Sequence, residues 1–157
     1  MARKLSIMDS GWLMMETRET PMHVGGLALF AIPEDAPSDY MESVYRFMVE
    51  VDGVCRPFSQ KIQSRLPGRL DAAWVEDKNF DIDYHVRHSA LPRPGRVREL
   101  LALVSRLHAQ RLDPSRPLWE SYLIEGLEGN RFALYTKMHH SMVDGMAGMH
   151  LMQSRMA

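Results

Sequence analysis

The alternation of apolar and polar residues divides the chain into short blocks of mixed type. The stretch DSGWLMMETRET reads as a short helix with Asp9 or Ser10 as its N-cap, stopped by Pro21. MHVGGLALFAI, bounded by Pro21 and Pro33, is apolar at both parities and of strand length, the pattern of a strand covered on both faces. After a loop, Ser38 is placed to cap a helix whose stripe is Met41, Val44, Tyr45 and Met48. AAWVED and FDIDYHVRHSAL read as short strands; in the second, Phe80, Ile82, Tyr84 and Val86 alternate with Asp81, Asp83, His85 and Arg87. The segment LPRPG is a connector.

RVRELLALVSRLHAQRLD carries the clearest helical period, with Val97, Leu100, Leu101, Val104, Leu107 and His108 on one side and Pro114 beyond its end. PLWESYLIEGLEGNRFALYTKMHH then reads as two strands around GLEGNR, a longer hairpin loop containing Asn130. The last segment, Gly145 to Met156, is helical in pattern. Together these blocks predict an α+β fold, a two-layer α/β sandwich of helices on a largely antiparallel mixed sheet, in one domain over residues 1–157. A strand with two apolar faces near the start and a helix at the very end both need partner surfaces. The expectation is one half of a larger body, or a chain that closes through a partner.

Composition narrows the function. A net charge of −1 argues against a nucleic-acid partner. Cys55 is the single cysteine, so no disulfide forms within the chain and no thiolate cluster is available. The start, MARKLSIMDSGW, lacks the apolar run of a secretory signal, and no stretch of about 18 apolar residues exists. The default expectation is a cytoplasmic protein. Thirteen methionines suit a core that fills irregular space, or a surface that accepts apolar ligands.

KMHHSMVDG, residues 137–145, is the stretch with chemistry in it. Three readings compete. Two adjacent histidines suggest metal ligands, but an extended strand sends His139 and His140 to opposite faces, and zinc needs three or four convergent ligands. The plainest reading makes Asp144 a helix N-cap and Gly145 a tight-turn residue, with the histidines part of the core. The third makes one histidine a general base. A neutral imidazole, with a reference pKa of about 6.5, can take a proton from a hydroxyl as that hydroxyl attacks a carbonyl. No G-x-S-x-G context surrounds a serine or cysteine, so direct transfer is favoured over an acyl-enzyme.

HHSMVDG fits H-H-x-x-x-D-G, the motif of acyltransferases that resemble chloramphenicol acetyltransferase. The blocks LSIMDSGWLMMETRETPMHVGGLALF, NFDIDYHVRHSALPRPG and LHAQRLDPSRPLWESYLIEGLEGNRFALYTKMHHSMVDG resemble the N-terminal half of the bacterial wax ester synthase/diacylglycerol acyltransferase family, from Leu5 to the last residue. The resemblance implies one half of a chloramphenicol-acetyltransferase-like two-domain fold. It implies transfer of a fatty acyl group from acyl-CoA, a substrate rather than a cofactor, to a long-chain alcohol or diacylglycerol, giving wax ester or triacylglycerol and CoA. No metal is expected, for want of a recognisable ligand spacing.

By the same resemblance His140 is the general base, His139 shapes the site, Asp144 is structural and Gly145 makes the turn. Pro117, Leu118 and Trp119 match a motif that supports the site or acyl channel. Leu5, Ser6 and Asp9 match a block linked to substrate binding, with Lys4 in place of the family's proline. The implied partners are acyl-CoA, the alcohol or diacylglycerol, the C-terminal half of the same enzyme and, peripherally, the inner membrane or a lipid droplet. The family's later asparagine–aspartate motif has no counterpart in these residues. A non-catalytic lipid- or CoA-binding fragment is the other reading the sequence carries, and a condensation-type or drug-acetylating relative a third.

Overall fold

In a computed structural model, residues 3–50, 56–66 and 71–142 are described. The elements are β1 (Arg3–Lys4), α1 (Ile7–Met15), β2 (His23–Ala31), α2 (Tyr40–Val49), β3 (Gln60–Gln63), β4 (Ala73–Glu76), α3 (Ile82–His85), β5 (Val86–Ala90), α4 (Val97–Ala109), β6 (Trp119–Leu127) and β7 (Arg131–His139). A 3-10 turn, His140–Met142, follows β7 directly. The expected helix over Gly145 to Met156 lies outside the described residues.

A four-stranded sheet of order β2-β7-β6-β5 is the frame. β6 and β7 form the expected hairpin, with Gly126, Gly129 and Asn130 all at positive φ around its turn. β7 pairs along its whole length with β2 on one side, and among the described strands only β5 runs parallel to its neighbour, β6. A smaller sheet of order β1-β4-β3 is hydrogen-bonded separately and packs against it through Trp74.

Strand alternation separates two cores. Tyr122 and Ile124 of β6, with Ala133 and Tyr135 of β7, pack under α4 against Leu100, Leu103, Val104 and Leu107. Trp119 and Met138 point the other way, into a cluster with Leu13, Trp74, Leu118 and Met142 that α2 flanks through Tyr45 and Met48. The expected mixed sheet with packed helices is therefore present.

Several expectations about individual elements are corrected. The N-cap of α1 is Ser6, whose Oγ accepts the Asp9 N–H at 3.0 Å; Asp9 and Ser10 lie inside the first turn. The helix ends at Met15, well before Pro21. The N-cap of α2 is Asp39 rather than Ser38. The predicted strand from Phe80 begins instead as the single turn α3: Asp81 Oδ1 accepts the Asp83 N–H and the Val86 N–H reaches the Ile82 carbonyl, so local capping wins over a short alternation. On α4, Val97 and Leu101 are exposed and Leu103 joins the buried stripe, which runs from Leu100 at the helical period.

The largest correction concerns β2. Among the described residues it is an edge strand, and beyond His23 its residues are exposed or partly exposed, with Val24, Leu27 and Leu29 among the exposed apolar side chains. The described residues cover neither of its faces fully, although its composition is that of a doubly covered strand.

Candidate functional site

The site begins where β7 ends. The strand stays in the ladder through His139, whose N–H donates to the Leu118 carbonyl at 2.9 Å. His140 then leaves the extended conformation, and its N–H donates to the Met22 carbonyl at 2.8 Å. The expectation that an extended strand carries His140 on the face of Met138 is corrected: the strand stops one residue earlier. The two imidazoles still diverge, into different environments.

His139 is 0% exposed. Its Nδ1 accepts the Ser141 N–H at 3.1 Å and lies 2.8 Å from Ser141 Oγ. Because a backbone N–H can only donate, Nδ1 carries the lone pair and a neutral ring bears its proton on Nε2. Nε2 faces Glu16 Oε1 at 3.8 Å. The imidazole thus makes the turn that follows it, by bonding the backbone two residues on.

Glu16 ties three segments to this point. Its largely buried carboxylate accepts the Met22 N–H at 3.3 Å through Oε1 and pairs with Arg111 Nη2 at 3.0 Å through Oε2. Glu16, His139 and Ser141 have the residue types of a nucleophilic triad. The geometry is otherwise: Ser141 is buried, the carboxylate is beyond hydrogen-bond length, and Nδ1 already holds a backbone N–H.

His140 is partly exposed. Its ring stacks on the indole of Trp12, with centroids 4.5 Å apart and planes 16° from parallel. No described residue hydrogen-bonds its ring nitrogens. Trp12 on α1 and Glu16, the C-cap that ends this helix, lie four residues apart, so the last turns of one helix meet both histidines.

The other predicted residues support this turn. Pro117, Leu118 and Trp119 are buried at the start of β6. Leu118 supplies the carbonyl that holds His139, and Trp119 pairs with Met138 in register and donates Nε1–H to the Phe58 carbonyl at 2.9 Å. His85 stacks on the Trp119 indole at 4.6 Å and donates Nδ1–H to the Trp119 carbonyl at 2.7 Å, and burial pushes its pKa down. Leu5 packs at the margin of the core around Trp74, Ser6 caps α1, and Asp9 sits in its first turn. Those three residues build the helix; Trp12 is the residue of it that reaches His140. Asp144 and Gly145 lie outside the described residues.

Sequence reasoning did not find the polar layer on the α4 face of the sheet. Lys137 is 0% exposed, and its Nζ donates to the carbonyls of Leu107 at 2.8 Å and Gln110 at 2.7 Å and pairs with Glu120 Oε2 at 3.3 Å. Burial pushes this ammonium down from its ordinary pKa, and Glu120 pushes it back up. His23, the register partner of His139, donates Nε2–H to the His108 carbonyl at 2.6 Å. Its pKa is lowered, first by burial. The C-terminal carbonyls of α4 are thus held by two side chains from the sheet. The only advance signal was a lysine at a position facing the same way as Tyr135 and His139.

Among the described residues no group of three or more His, Cys, Asp or Glu is arranged to hold a metal ion. Among them, too, no helix is long and apolar enough to cross a membrane.

Comparison with known proteins places this geometry. The model of the wax ester synthase/diacylglycerol acyltransferase catalytic domain matches residues 5–157. A probable diacylglycerol O-acyltransferase of Mycobacterium tuberculosis is 49% identical over 146 residues, 92% of this chain and 32% of that protein. The O-acyltransferase WSD of Acinetobacter baylyi is 44% identical over 156 residues, 99% of this chain and 32% of its own length. The wax ester synthase/diacylglycerol acyltransferase of Marinobacter aquaeolei superposes with a TM-score of 0.87 at 45% identity, covering 97% of this chain and 36% of that one. The starter condensation domain of rhizomide synthetase shares the fold alone, with a TM-score of 0.66 at 13% identity over 99% of this chain and 37% of that one. The chain spans about a third of the length of these relatives. On the match along residues 5–157 and the identity to these relatives, the chain belongs to the wax ester synthase/diacylglycerol acyltransferase family.

Proposed function

We propose that this chain carries the general-base side of an acyltransferase that moves a fatty acyl group from acyl-CoA to a long-chain alcohol or diacylglycerol. The observation that carries the reading is the contrast between the two histidines. His139 is buried with Nδ1 committed to the turn, whereas His140 is partly exposed and presents both ring nitrogens unclaimed by any described residue. A base must keep a nitrogen for its substrate.

In the proposed step an imidazole nitrogen of His140 takes the hydroxyl proton as the hydroxyl oxygen forms its bond to the thioester carbonyl carbon. The tetrahedral intermediate collapses with loss of the C–S bond. The imidazolium returns the proton to the departing thiolate, leaving ester and free CoA. Base catalysis of this kind typically supplies roughly 10²- to 10⁴-fold. His139 shapes the site by making the turn at Ser141, and Asp144 has a structural role and Gly145 that of a turn residue. Pro117, Leu118 and Trp119 support the turn from β6, and the Leu5, Ser6 and Asp9 block contributes to substrate binding through α1.

The chain acts as one domain over residues 1–157, and the remaining length of the full protein supplies the opposing wall. The exposed apolar residues of β2 are one surface for it to cover. Contact with the inner membrane or a lipid droplet is peripheral and from the cytoplasmic side. Ile7, Met8, Met14 and Met15, exposed on α1, are the apolar side chains available for it.

The test is release of CoA thiol from palmitoyl-CoA with hexadecanol or diacylglycerol as acceptor, measured on the full-length protein. His140→Ala is expected to abolish release while the fold persists, and His139→Ala to lose stability as well as rate. Full turnover in His140→Ala would overturn the assignment and favour a non-catalytic lipid- or CoA-binding role.

A further inference from the structure

The five other described histidines each place a ring nitrogen against a polar partner. His23 meets the His108 carbonyl, His85 the Trp119 carbonyl, His88 the Glu125 carboxylate, His108 the Tyr135 hydroxyl and His139 the Ser141 N–H. Such a bond fixes the ring about its terminal torsion, which is otherwise broad. No such bond is recorded for His140 within the described residues. What addresses its ring is the face of Trp12.

We propose that Trp12 is the positioning residue of His140: by stacking on the imidazole it sets the plane of the ring, and so the plane in which both nitrogens point, without occupying either. This rests on the reading of His140 as the base. A 4.5 Å centroid separation at 16° is face-to-face contact, and rotating the imidazole would drive its edge into the indole. The backbone of His140 is already held by its N–H bond to Met22, so the side-chain torsions are the remaining freedom. Trp12 is itself well placed to define a direction. Leu13 beside it is buried, Ser6 caps the start of α1, and Glu16 one turn on is tied to Met22 and Arg111. An indole face also attracts the imidazolium that forms when the base takes its proton.

The experiment uses the full-length protein with palmitoyl-CoA and hexadecanol, comparing Trp12→Leu, Trp12→Phe and His140→Ala. Trp12→Leu is expected to lower kcat by about 10- to 100-fold with little change in KM, because misaligned groups lose the step rather than binding. Trp12→Phe, which keeps an aromatic face, is expected to recover most of that loss. A second readout needs no activity. With histidine labelled at Cε1, the His140 resonance is identified by its disappearance in His140→Gln. The ring current of a stacked indole displaces it upfield, and in Trp12→Leu it is expected to return toward the position of an unstacked histidine. An unchanged His140 resonance in Trp12→Leu overturns the stack. Normal kcat in Trp12→Leu alongside an inactive His140→Ala overturns the positioning role. Full activity in His140→Ala overturns the base assignment instead, so the two failures are distinguishable. Where Trp12→Leu fails to fold by circular dichroism, Trp12→Phe decides. A folded Trp12→Phe that loses as much kcat as His140→Ala overturns the idea that an aromatic face suffices.

Discussion

Replacing Lys137 by methionine keeps an unbranched apolar stem and removes an ammonium that has no exposure. Three acceptors lose their donor: the Leu107 and Gln110 carbonyls, at 2.8 and 2.7 Å, and the Glu120 carboxylate at 3.3 Å. Glu120 keeps a hydrogen bond from the Tyr122 hydroxyl at 2.6 Å, but its charge is left buried and unopposed. Breaking a buried pair in this way costs about 3–5 kcal/mol. With a urea m-value of about 1–3 kcal/mol/M, that moves the unfolding midpoint down by roughly 2 M. Adding Glu120→Gln removes the stranded charge while Gln can still accept from Tyr122. The double variant is therefore expected to regain more than half of the loss, leaving about 1–2 kcal/mol for the two helix carbonyls. Urea unfolding of the parent, both single variants and the double variant closes the cycle. A single-variant loss under about 1 kcal/mol, or a double variant that simply adds the two singles, would refute the view that Lys137 and Glu120 act as a coupled pair.

Two further outcomes follow from other parts of the fold. Burial holds the pKa of His85 below its ordinary value, and the same is true of His23. The unfolded chain then takes up protons that the folded chain refuses, so stability falls as pH drops below about 6.5. His85→Phe is expected to be less stable at neutral pH, having lost the bond to the Trp119 carbonyl, yet to show a shallower decline between about pH 7 and 5; an unchanged slope contradicts the burial argument. Gly25→Ala is expected to cost about 1–3 kcal/mol, because a Cβ there meets the Tyr135 hydroxyl at 2.7 Å and Tyr135 Cε2 at 2.9 Å; Gly26→Ala, with nothing within 4 Å, is the near-neutral control in the same thermal melt.

The pattern of the chain made its strongest elements legible. The period of α4, the glycine-bearing β6–β7 hairpin and the strand character of β2 all show in local spacing, because each is decided by residues within a dozen positions of one another. What failed is what depends on a distant neighbour or on a single side-chain bond. Phe80 to Val86 alternates like a strand, yet one Asp81 carboxylate turns the chain into a helical turn. The apolar residues of β2 promised two covered faces, and the described residues leave most of them open.

The site shows the same division more sharply. Parity alone separated His139 from His140, and that separation holds even though β7 ends one residue sooner than the pattern predicts. Parity could not say which imidazole is accessible. The answer comes from α1 and its C-cap, more than a hundred residues earlier in the chain, where Trp12 and Glu16 meet His140 and His139 respectively. That helix reads in sequence only as a capped, methionine-rich segment, since nothing local marks an indole that will lie against a distant ring. Its approach is set by the long β2–β7 ladder, which brings the carbonyl of Met22, the last residue of the α1–β2 connection, against the N–H of His140. A strand that pairs along nine consecutive residues fixes its end to within a fraction of a residue spacing. Placing two adjacent histidines at that end therefore gives one a buried, turn-making role and leaves the other facing outward, with its nitrogens uncommitted among the described residues.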